Sequence, residues 1–138
     1  MNHSIHSEAP YRTQEHHHEE LIKGITAQLK PILDKSPQAI YVYLDDTHKA
    51  CNKKFADLLG YKSAKEWADT EAPLADVIEE DQEKVIAAYE NASEKMVASN
   101  LDVRFTNVKT SKTIKASVIM VPVAYEGHIF ALHFIDKI

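Results

Sequence analysis

The ten residues from Asn52 to Tyr61 are the strongest local constraint on how this chain folds. Asn52 suits a helix N-cap, because its side-chain oxygen can accept a hydrogen bond from an amide of the first turn. Three apolar residues follow at helical spacing: Phe55, Leu58 and Leu59. Gly60 suits the left-handed C′ position that ends a helix. The segment therefore predicts a short helix with a defined start, one buried stripe and a defined end.

Two extended segments precede this helix. Residues 39–44 are apolar at nearly every position, which is typical of a strand covered on both faces. Asp45-Asp46-Thr47 predicts a turn, because aspartate side chains bond nearby backbone amides. Residues 48–51 predict a second strand, so the two strands form a hairpin.

Further helices and then strands follow the short helix. Ser63 and Glu66 have the spacing of a capping box before Trp67, and a longer helix is predicted over about 81–99. From Leu101 onward the hydrophobic period changes from helical to alternating, and three strands joined by polar turns predict an antiparallel meander. This order of elements predicts the α+β class.

The N-terminal residues divide into two parts. Residues 1–15 are polar and aperiodic, and they are predicted to form a flexible tail. An amphipathic helix is predicted over 16–31, where Pro31 would kink or end it, and one domain over 32–138. The helix carries four apolar residues at spacings of 3, 4 and 3: Ile22, Ile25, Leu29 and Ile32. This stripe favours homodimerisation through the helix, and the alternative is that the helix folds back onto its own sheet.

The composition excludes several classes of function. The chain has 138 residues and a net charge of −5, without the clustered Lys and Arg of a nucleic-acid interface. No apolar run approaches the roughly 20 residues that span a bilayer, and no signal peptide is legible, which favours the cytoplasm and no membrane partner. The single cysteine allows no intrachain disulfide and no multi-cysteine metal site, and the three glycines form no phosphate-binding motif.

Residues 16–20, His-His-His-Glu-Glu, combine imidazole and carboxylate ligands that suit transition metals. Consecutive side chains on a helix point about 100° apart, so three adjacent histidines cannot converge on one ion. His16 and Glu20 stand at positions i and i+4 and offer two ligands. The segment is interpreted as a solvated helix start, and no metal site is predicted.

Three segments taken together resemble the PAS domain family: Ser36-Pro37-Gln38-Ala39-Ile40, Asn52 to Gly60-Tyr61, and Pro122-Val123-Ala124-Tyr125-Glu126-Gly127. The resemblance covers roughly residues 32–138. It implies a five-stranded antiparallel sheet in the order 2-1-5-4-3, with helices that cover one face and enclose a pocket, in addition to the N-terminal helix. Domains of this family sense small molecules, light or redox state, or mediate dimerisation. The chain is expected to be a stand-alone sensor, a fragment, or a protein acting through a separate signalling protein.

No haem or flavin signature of the family is present, and the cofactor is left unknown. Flavin-binding relatives place a reactive cysteine in a motif that opens a helix, whereas Cys51 precedes Asn52. Haem-binding relatives supply a histidine ligand from the long helix, and the predicted long helix here contains none. His133 on the last strand could ligate a haem iron instead, or it is a core residue. The resemblance implies a pocket for a small organic molecule, and seven large residues are predicted to line it: Tyr43, Phe55, Trp67, Tyr89, Phe105, Met120 and His133.

The predicted function is a non-catalytic sensory and signalling module that binds a small ligand, forms a homodimer, or does both. The alternative is a small α+β enzyme, isomerase- or hydrolase-like, that acts in the same pocket. Such an enzyme needs an acid or base with a shifted pKa inside the pocket, and the candidates are Asp57, Asp102 and His133. They form no legible set of nucleophile, base and orienting group, so no catalytic residue is predicted.

Overall fold

The computed structural model describes the backbone of residues 4–138 and the side chains of residues 15–138. Within this range, helices and strands follow the order predicted from the sequence, and a 3₁₀ turn spans Pro73–Asp76, where Pro73 predicts the start of a short segment. The helices are α1 (Ser4–Lys35), α2 (Lys53–Leu59), α3 (Ala64–Ala68) and α4 (Glu79–Lys95). The strands are β1 (Ala39–Asp45), β2 (His48–Cys51), β3 (Ser99–Thr106), β4 (Thr113–Tyr125) and β5 (His128–Lys137).

The strands form one antiparallel sheet in the order β2-β1-β5-β4-β3, which confirms the predicted topology. The first hairpin joins β1 to β2, and a second tight turn places Tyr125 opposite His128 at the end of the β4–β5 ladder. The first and last strands of the chain are neighbours in the middle of the sheet, where Tyr41 of β1 pairs with His133 of β5. Side chains alternate along each strand, so every strand in the middle of the sheet supplies residues to both faces.

The first face of the sheet packs against α2, α3 and the 3₁₀ turn. Ala39 and Tyr41 of β1 contribute to this face, and Phe55, Leu59 and Trp67 cover them from the helices. Helix α4 covers the β3–β5 side of the same face through Ala88 and Ala92, which lie against Met120 and Ala131. This face is rich in aromatic side chains.

The second face is covered by α1. Ile40, Val42 and Leu44 alternate with the residues of the first face and pack against Leu21, Ile25 and Leu33, together with Phe130 and Leu132 of β5. A side chain at Gly24 would collide with the Tyr125 ring, so a glycine lets the helix approach β4 closely. Residues 39–44 are therefore covered on both faces, as their composition predicts.

This packing changes the interpretation of the predicted dimerisation stripe. Ile25 is only 2% exposed and contacts the chain's own sheet, and Ile22 and Leu29 are partly buried beside it. Ile32 lies away from the sheet and is 46% exposed. The buried stripe is Leu21, Ile25 and Leu33, offset from the predicted one, because the sheet selects a helix face that spacing alone does not define. The helix therefore folds back onto its own sheet, which is the alternative to homodimerisation that the sequence leaves open.

Element boundaries also differ from the sequence prediction. Helix α1 spans Ser4–Lys35, so it extends past 16–31 at both ends, starts within the predicted tail and continues through Pro31. The first three residues of that tail lie outside the described residues. Helix α4 ends at Lys95 rather than near Ser99, because Met96 adopts a left-handed conformation with φ 56°.

The segment that most constrains the fold has the predicted local structure. Asn52 caps α2 by accepting a hydrogen bond from the Phe55 amide, and Gly60 ends the helix with φ 85°. The Asn52 side chain also accepts from the Ile40 amide at 3.0 Å and donates to the Gln38 carbonyl at 2.9 Å. It therefore joins α2 to the start of β1. Among residues 4–138, no helix is both long and apolar enough to cross a bilayer.

Candidate ligand pocket

A cavity of about 180 Å³ lies between the first face of the sheet, the 3₁₀ turn and α4. The sheet contributes Tyr41, Tyr43, Met120 and His133, all of which point to the same face. The opposite wall is apolar and comes from the turn and the helix: Pro73, Leu74, Val77, Val85, Ile86 and Tyr89. Asp46, on the β1–β2 turn, lies at one end and is the only carboxylate of this lining.

Four of the seven predicted pocket residues line this cavity, namely Tyr43, Tyr89, Met120 and His133. The other three do not: Phe55, Trp67 and Phe105 belong to the apolar core beneath α2 and α3. These rings pack directly against one another. The ring centroids of Phe55 and Trp67 lie 5.1 Å apart, and those of Phe55 and Phe105 lie 6.3 Å apart. Size and aromatic character do not distinguish a core ring from a lining ring.

Two tyrosine hydroxyls at the cavity are held by hydrogen bonds. The Tyr43 hydroxyl donates to Asp46 Oδ1 at 2.6 Å, and the Tyr89 hydroxyl donates to the Leu44 carbonyl at 3.2 Å. The two rings meet edge to face, with centroids 5.1 Å apart. Burial raises the pKa of both phenols, and for Tyr43 the Asp46 carboxylate raises the pKa further. Both hydroxyls are therefore neutral donors and acceptors.

His133 is the buried polar group of the sheet side of the cavity. It is 3% exposed, and its ring stacks on Tyr41 with centroids 3.7 Å apart. Burial lowers the pKa of His133 to about 3, so the ring is neutral at physiological pH. Nδ1 lies 3.1 Å from the Ala131 carbonyl, which only accepts, so Nδ1 carries the proton and Nε2 is the acceptor.

Polar contacts hold the 3₁₀ turn and α4 of the cavity wall in place. The Tyr61 hydroxyl donates to the buried carboxylate of Asp76, which anchors the 3₁₀ turn to the end of α2, and burial raises the pKa of Asp76. Gln82 of α4 donates to the carbonyls of Leu74 and Val77 at 3.2 and 3.0 Å. The turn and the helix are thus tied together, so the opening between them and the sheet has a defined width.

The start of α4 is fixed to β3 by an ion pair. Asp81 accepts from the Arg104 backbone amide at 2.8 Å and from the guanidinium Nε and Nη2 at 3.0 and 2.8 Å. These hydrogen bonds lower the pKa of Asp81 to about 2. The charge also lies in the first turn of α4, where the helix dipole stabilises it.

Comparison with solved structures identifies the architecture. The PAS domain of a protein from Colwellia psychrerythraea matches with a TM-score of 0.66 and 21% identity, over 83% of this chain and 97% of that one. The PAS domain of an HTR-like protein from Haloarcula marismortui matches with a TM-score of 0.65 and 19% identity, over 87% of this chain and 97% of that one. The chain has the PAS fold.

A third solved structure has the same fold. A LOV protein from Rhodobacter sphaeroides matches with a TM-score of 0.68 and 11% identity, over 84% of this chain and 68% of that one. At these low identities the likeness shows the fold alone. No model of a protein family matches the sequence, and no curated protein matches it.

The cysteine of this PAS fold lies apart from the cavity lining. Cys51 ends β2, is buried, and packs in the core cluster with Phe55 and Trp67. Burial raises the pKa of its thiol to about 12, so it is a neutral apolar residue at physiological pH.

The candidates for an enzymatic acid or base are not brought together. Asp57 is exposed on α2 and pairs with Lys53 at 3.1 Å. Asp102 is exposed on β3 and lines a different surface depression, whereas His133 lies in the PAS cavity. The three residues therefore occupy separate places, and their arrangement does not favour the enzyme alternative.

Sequence reasoning missed several lining residues of the PAS cavity. Tyr41 lies on the same face of β1 as Tyr43, so the alternation of side chains along a strand could have predicted that it lines the cavity. Leu74, Val77 and Val85 carried none, because short apolar residues in a turn and on a helix face are the usual components of any core.

Proposed function

We propose that this chain is a sensory module that binds a small organic molecule in the cavity and passes the signal to α1. The observation that carries this proposal is the cavity itself, an apolar space with three tyrosines, one neutral imidazole and one carboxylate in its lining. Binding sites for small molecules generally have this composition, in which a few polar groups orient a ligand held by apolar walls.

The volume limits the size of the ligand. An apolar protein cavity of about 150 Å³ accepts benzene, whereas sites for drug-sized ligands measure about 300–1,000 Å³. The cavity of about 180 Å³ therefore suits a single ring or a short chain. Haem or a flavin would require the turn and α4 to move away from the sheet.

The electrostatics limit its charge. The His133 imidazole is neutral, and the Asp46 carboxylate at the end of the cavity repels anions. Nε2 of His133 accepts a hydrogen bond, and the Tyr43 and Tyr89 hydroxyls, which donate their protons to Asp46 and to the Leu44 carbonyl, accept one as well. We expect a neutral ligand with one hydroxyl or amine group on an apolar body.

A contact across the sheet offers a route for the signal. The Tyr89 hydroxyl lines the cavity and bonds to the Leu44 carbonyl, and the Leu44 side chain points to the other face and packs in the α1 cluster. A ligand that moves Tyr89 would therefore change the packing beneath α1. The output would reach a second copy or a separate signalling protein through that helix.

Ligand binding is tested by filling the cavity. Val85→Phe adds a ring to the cavity wall, and Ile119→Phe, at a residue 44% exposed on β4, is the matched control. We expect phenol, aniline and benzyl alcohol at millimolar concentration to raise the unfolding temperature of the wild type and of Ile119→Phe, and to leave Val85→Phe unchanged. Native mass spectrometry of freshly purified, untagged protein would show any retained ligand.

Two outcomes would contradict the proposal. The first is a wild type that retains no molecule and shows no thermal shift with any of the three compounds. The second is a thermal shift of equal size in Val85→Phe, because the compounds would then bind outside the cavity.

Association of two chains through α1 is a second proposal, supported by the 46% exposure of Ile32 on that helix. Substitution of Ile25 cannot test it, because that side chain packs in the chain's own core. Light scattering after size exclusion would instead compare Ile32→Asp with Val108→Asp, which changes an equally exposed residue in the β3–β4 turn. A dimer mass lost only in Ile32→Asp supports association through α1, and one monomeric mass for all three proteins rejects it.

A further inference from the structure

A cluster of histidines and carboxylates lies where α1 crosses the β1–β2 hairpin. Asp45, the last residue of β1, lies between two imidazoles: its Oδ2 is 2.9 Å from Nδ1 of His18, and its Oδ1 is 2.6 Å from Nδ1 of His48. One ligand atom from each of these residues lies within 4.8 Å of the other two. The three residues come from α1, β1 and β2, and no ligand spacing along the sequence joins His18 to the other two.

His48 is held in a fixed orientation from its far side. The side chain is buried, with 4% of the residue exposed, and its Nε2 lies 3.1 Å from Oε1 of Glu15. A carboxylate only accepts, and His48 faces one at each ring nitrogen, Glu15 at Nε2 and Asp45 at Nδ1. When Nε2 carries the proton of the neutral ring, the lone pair lies on Nδ1, which faces Asp45. Metal-bound histidines characteristically have this partner, a carboxylate that fixes the tautomer through the other ring nitrogen.

Asp45 is oriented in a similar way. The Thr47 backbone amide donates to its Oδ1 at 3.1 Å, and the Thr47 hydroxyl lies 3.2 Å from the same oxygen. Its Oδ2 faces His18. Both the carboxylate and the buried imidazole are thus positioned by groups outside the trio, as in a site whose ligands are preorganised.

The charge of the cluster also favours a cation. Glu15, Glu19 and Asp45 all approach His48, which has carboxylate oxygens next to both ring nitrogens. With a neutral imidazole, the Nδ1 lone pair would face a carboxylate oxygen at 2.6 Å, which is repulsive. Either a second proton on the ring or a metal ion between the ligands removes that repulsion.

We propose that His18, Asp45 and His48 bind one divalent first-row transition-metal ion. Two imidazoles and one carboxylate, with the fourth position left to water, form a donor set that Zn²⁺ accepts at about 2.0–2.2 Å. Ligand atoms around such an ion lie about 3.3 Å apart, so the two contacts of Asp45 with the imidazoles, at 2.9 and 2.6 Å, need to lengthen by less than about 1 Å. The ion would fasten α1 to the hairpin at the end of the sheet opposite Leu33.

The metal site is independent of the proposed ligand cavity. It lies on the α1 side of the hairpin, and none of His18, Asp45 and His48 lines that cavity. Its function would be to hold α1 against the sheet, because the ion joins a helix residue to two residues that follow it by 27 and 30 positions.

Zn²⁺ titration against a chromophoric chelator tests the site, using full-length, untagged protein freed of metal. His18→Ala removes one ligand, and His16→Ala is the matched control, since it removes an exposed histidine of the same helix outside the cluster. We expect one Zn²⁺ per chain in the wild type, a Kd at least about 100-fold higher in His18→Ala, and a Kd within threefold of wild type in His16→Ala.

Two further variants separate ligands from positioning residues. Asp45→Asn should weaken Zn²⁺ binding as strongly as His18→Ala, whereas Glu15→Gln, which only orients His48, should raise the Kd about 10-fold. Zn²⁺ should raise the unfolding temperature of the wild type and of His16→Ala but not of His18→Ala, and EDTA should reverse this.

Three results would overturn the proposal. Equal losses in His16→Ala and His18→Ala would assign the binding to the run of adjacent histidines on the helix surface. A wild type without Zn²⁺ binding at micromolar concentration would leave only a hydrogen-bonded network of these side chains. Unchanged binding in His18→Ala, a half-buried helix position whose removal leaves the core intact, would place the ion elsewhere.

Discussion

The two faces of the sheet use the same strands for different purposes. On the α1 face, Ile40, Val42 and Leu44 meet Leu21 and Ile25 in a mainly aliphatic contact, in which Phe130 is the fully buried aromatic residue. On the other face, Tyr41 and Tyr43 meet His133, Tyr89 and the cavity. Flexible aliphatic side chains fill space against one long helix, whereas rigid rings against four short segments leave a gap. One face therefore fixes the helix, and the other contains the cavity.

The largest expected effect comes from loosening the aliphatic face. Ile25→Ala should lower the free energy of unfolding by about 3 kcal/mol, because it removes a side chain that is 2% exposed and leaves a cavity. Urea denaturation measures the change. Ile32→Ala, at a residue 46% exposed, is the control and should cost under about 1 kcal/mol. Equal small effects for both variants would show that α1 does not pack on the sheet in solution.

A slightly smaller effect is expected at the start of α2. Asn52→Ala removes the cap and the bonds to Ile40 and Gln38, so it should destabilise the protein by about 2–3 kcal/mol. Ser63→Ala removes only the exposed cap of α3 and should cost about 1 kcal/mol. If chemical denaturation gives the same loss for both, the link from Asn52 to β1 contributes nothing.

The cavity face should respond to acid through His133. Its pKa is about 3 in the folded protein and about 6.5 in the unfolded chain, so between these values only the unfolded chain takes up the proton. Stability therefore falls as the pH falls through this window, by about 2 kcal/mol between pH 6.5 and pH 5.

His133→Phe keeps a ring stacked on Tyr41 and removes the titration. The difference in unfolding free energy between the wild type and this variant should change by about 2 kcal/mol from pH 6.5 to pH 5. A pH-independent difference for His133→Phe would mean that His133 titrates normally.

The smallest effect tests the contact that joins the two faces. Tyr89→Phe removes one hydrogen bond to the Leu44 carbonyl and should cost about 1 kcal/mol. Amide exchange of α1 should rise in this variant if Tyr89 communicates with the helix. Tyr125→Phe, which removes a hydroxyl from the α1 face itself, provides the comparison. Loss of stability without any change in α1 exchange would rule out Leu44 as the route of the signal.

Most of the fold could be predicted, because local patterns carry it. The cap at Asn52, the left-handed Gly60 and the alternation after Leu101 each follow from backbone chemistry within a few residues. The strand order then followed from the family resemblance. The extent of α1 could not be predicted in the same way, since the polar residues before position 16 contain no hydrophobic period.

The candidate sites were predicted less completely than the fold. Tyr43, Tyr89, Met120 and His133 line the cavity, but Phe55, Trp67 and Phe105 fill the core beside it. Whether a ring faces a gap depends on how closely the opposite element approaches, and no local pattern encodes that distance. The run of histidines at 16–18 predicts a solvated helix start, because the groups that lie near His18 in the fold, Asp45 and His48, follow it by 27 and 30 positions.

The sequence by itself determined the elements, their order and the two faces of β1, because hydrogen bonding and side-chain alternation act between near neighbours. Only the tertiary structure decided that α1 covers its own sheet, that His18 meets Asp45 and His48, and that a space remains beside His133. These features depend on contacts between residues far apart in the chain, whose positions are set by packing of the whole domain.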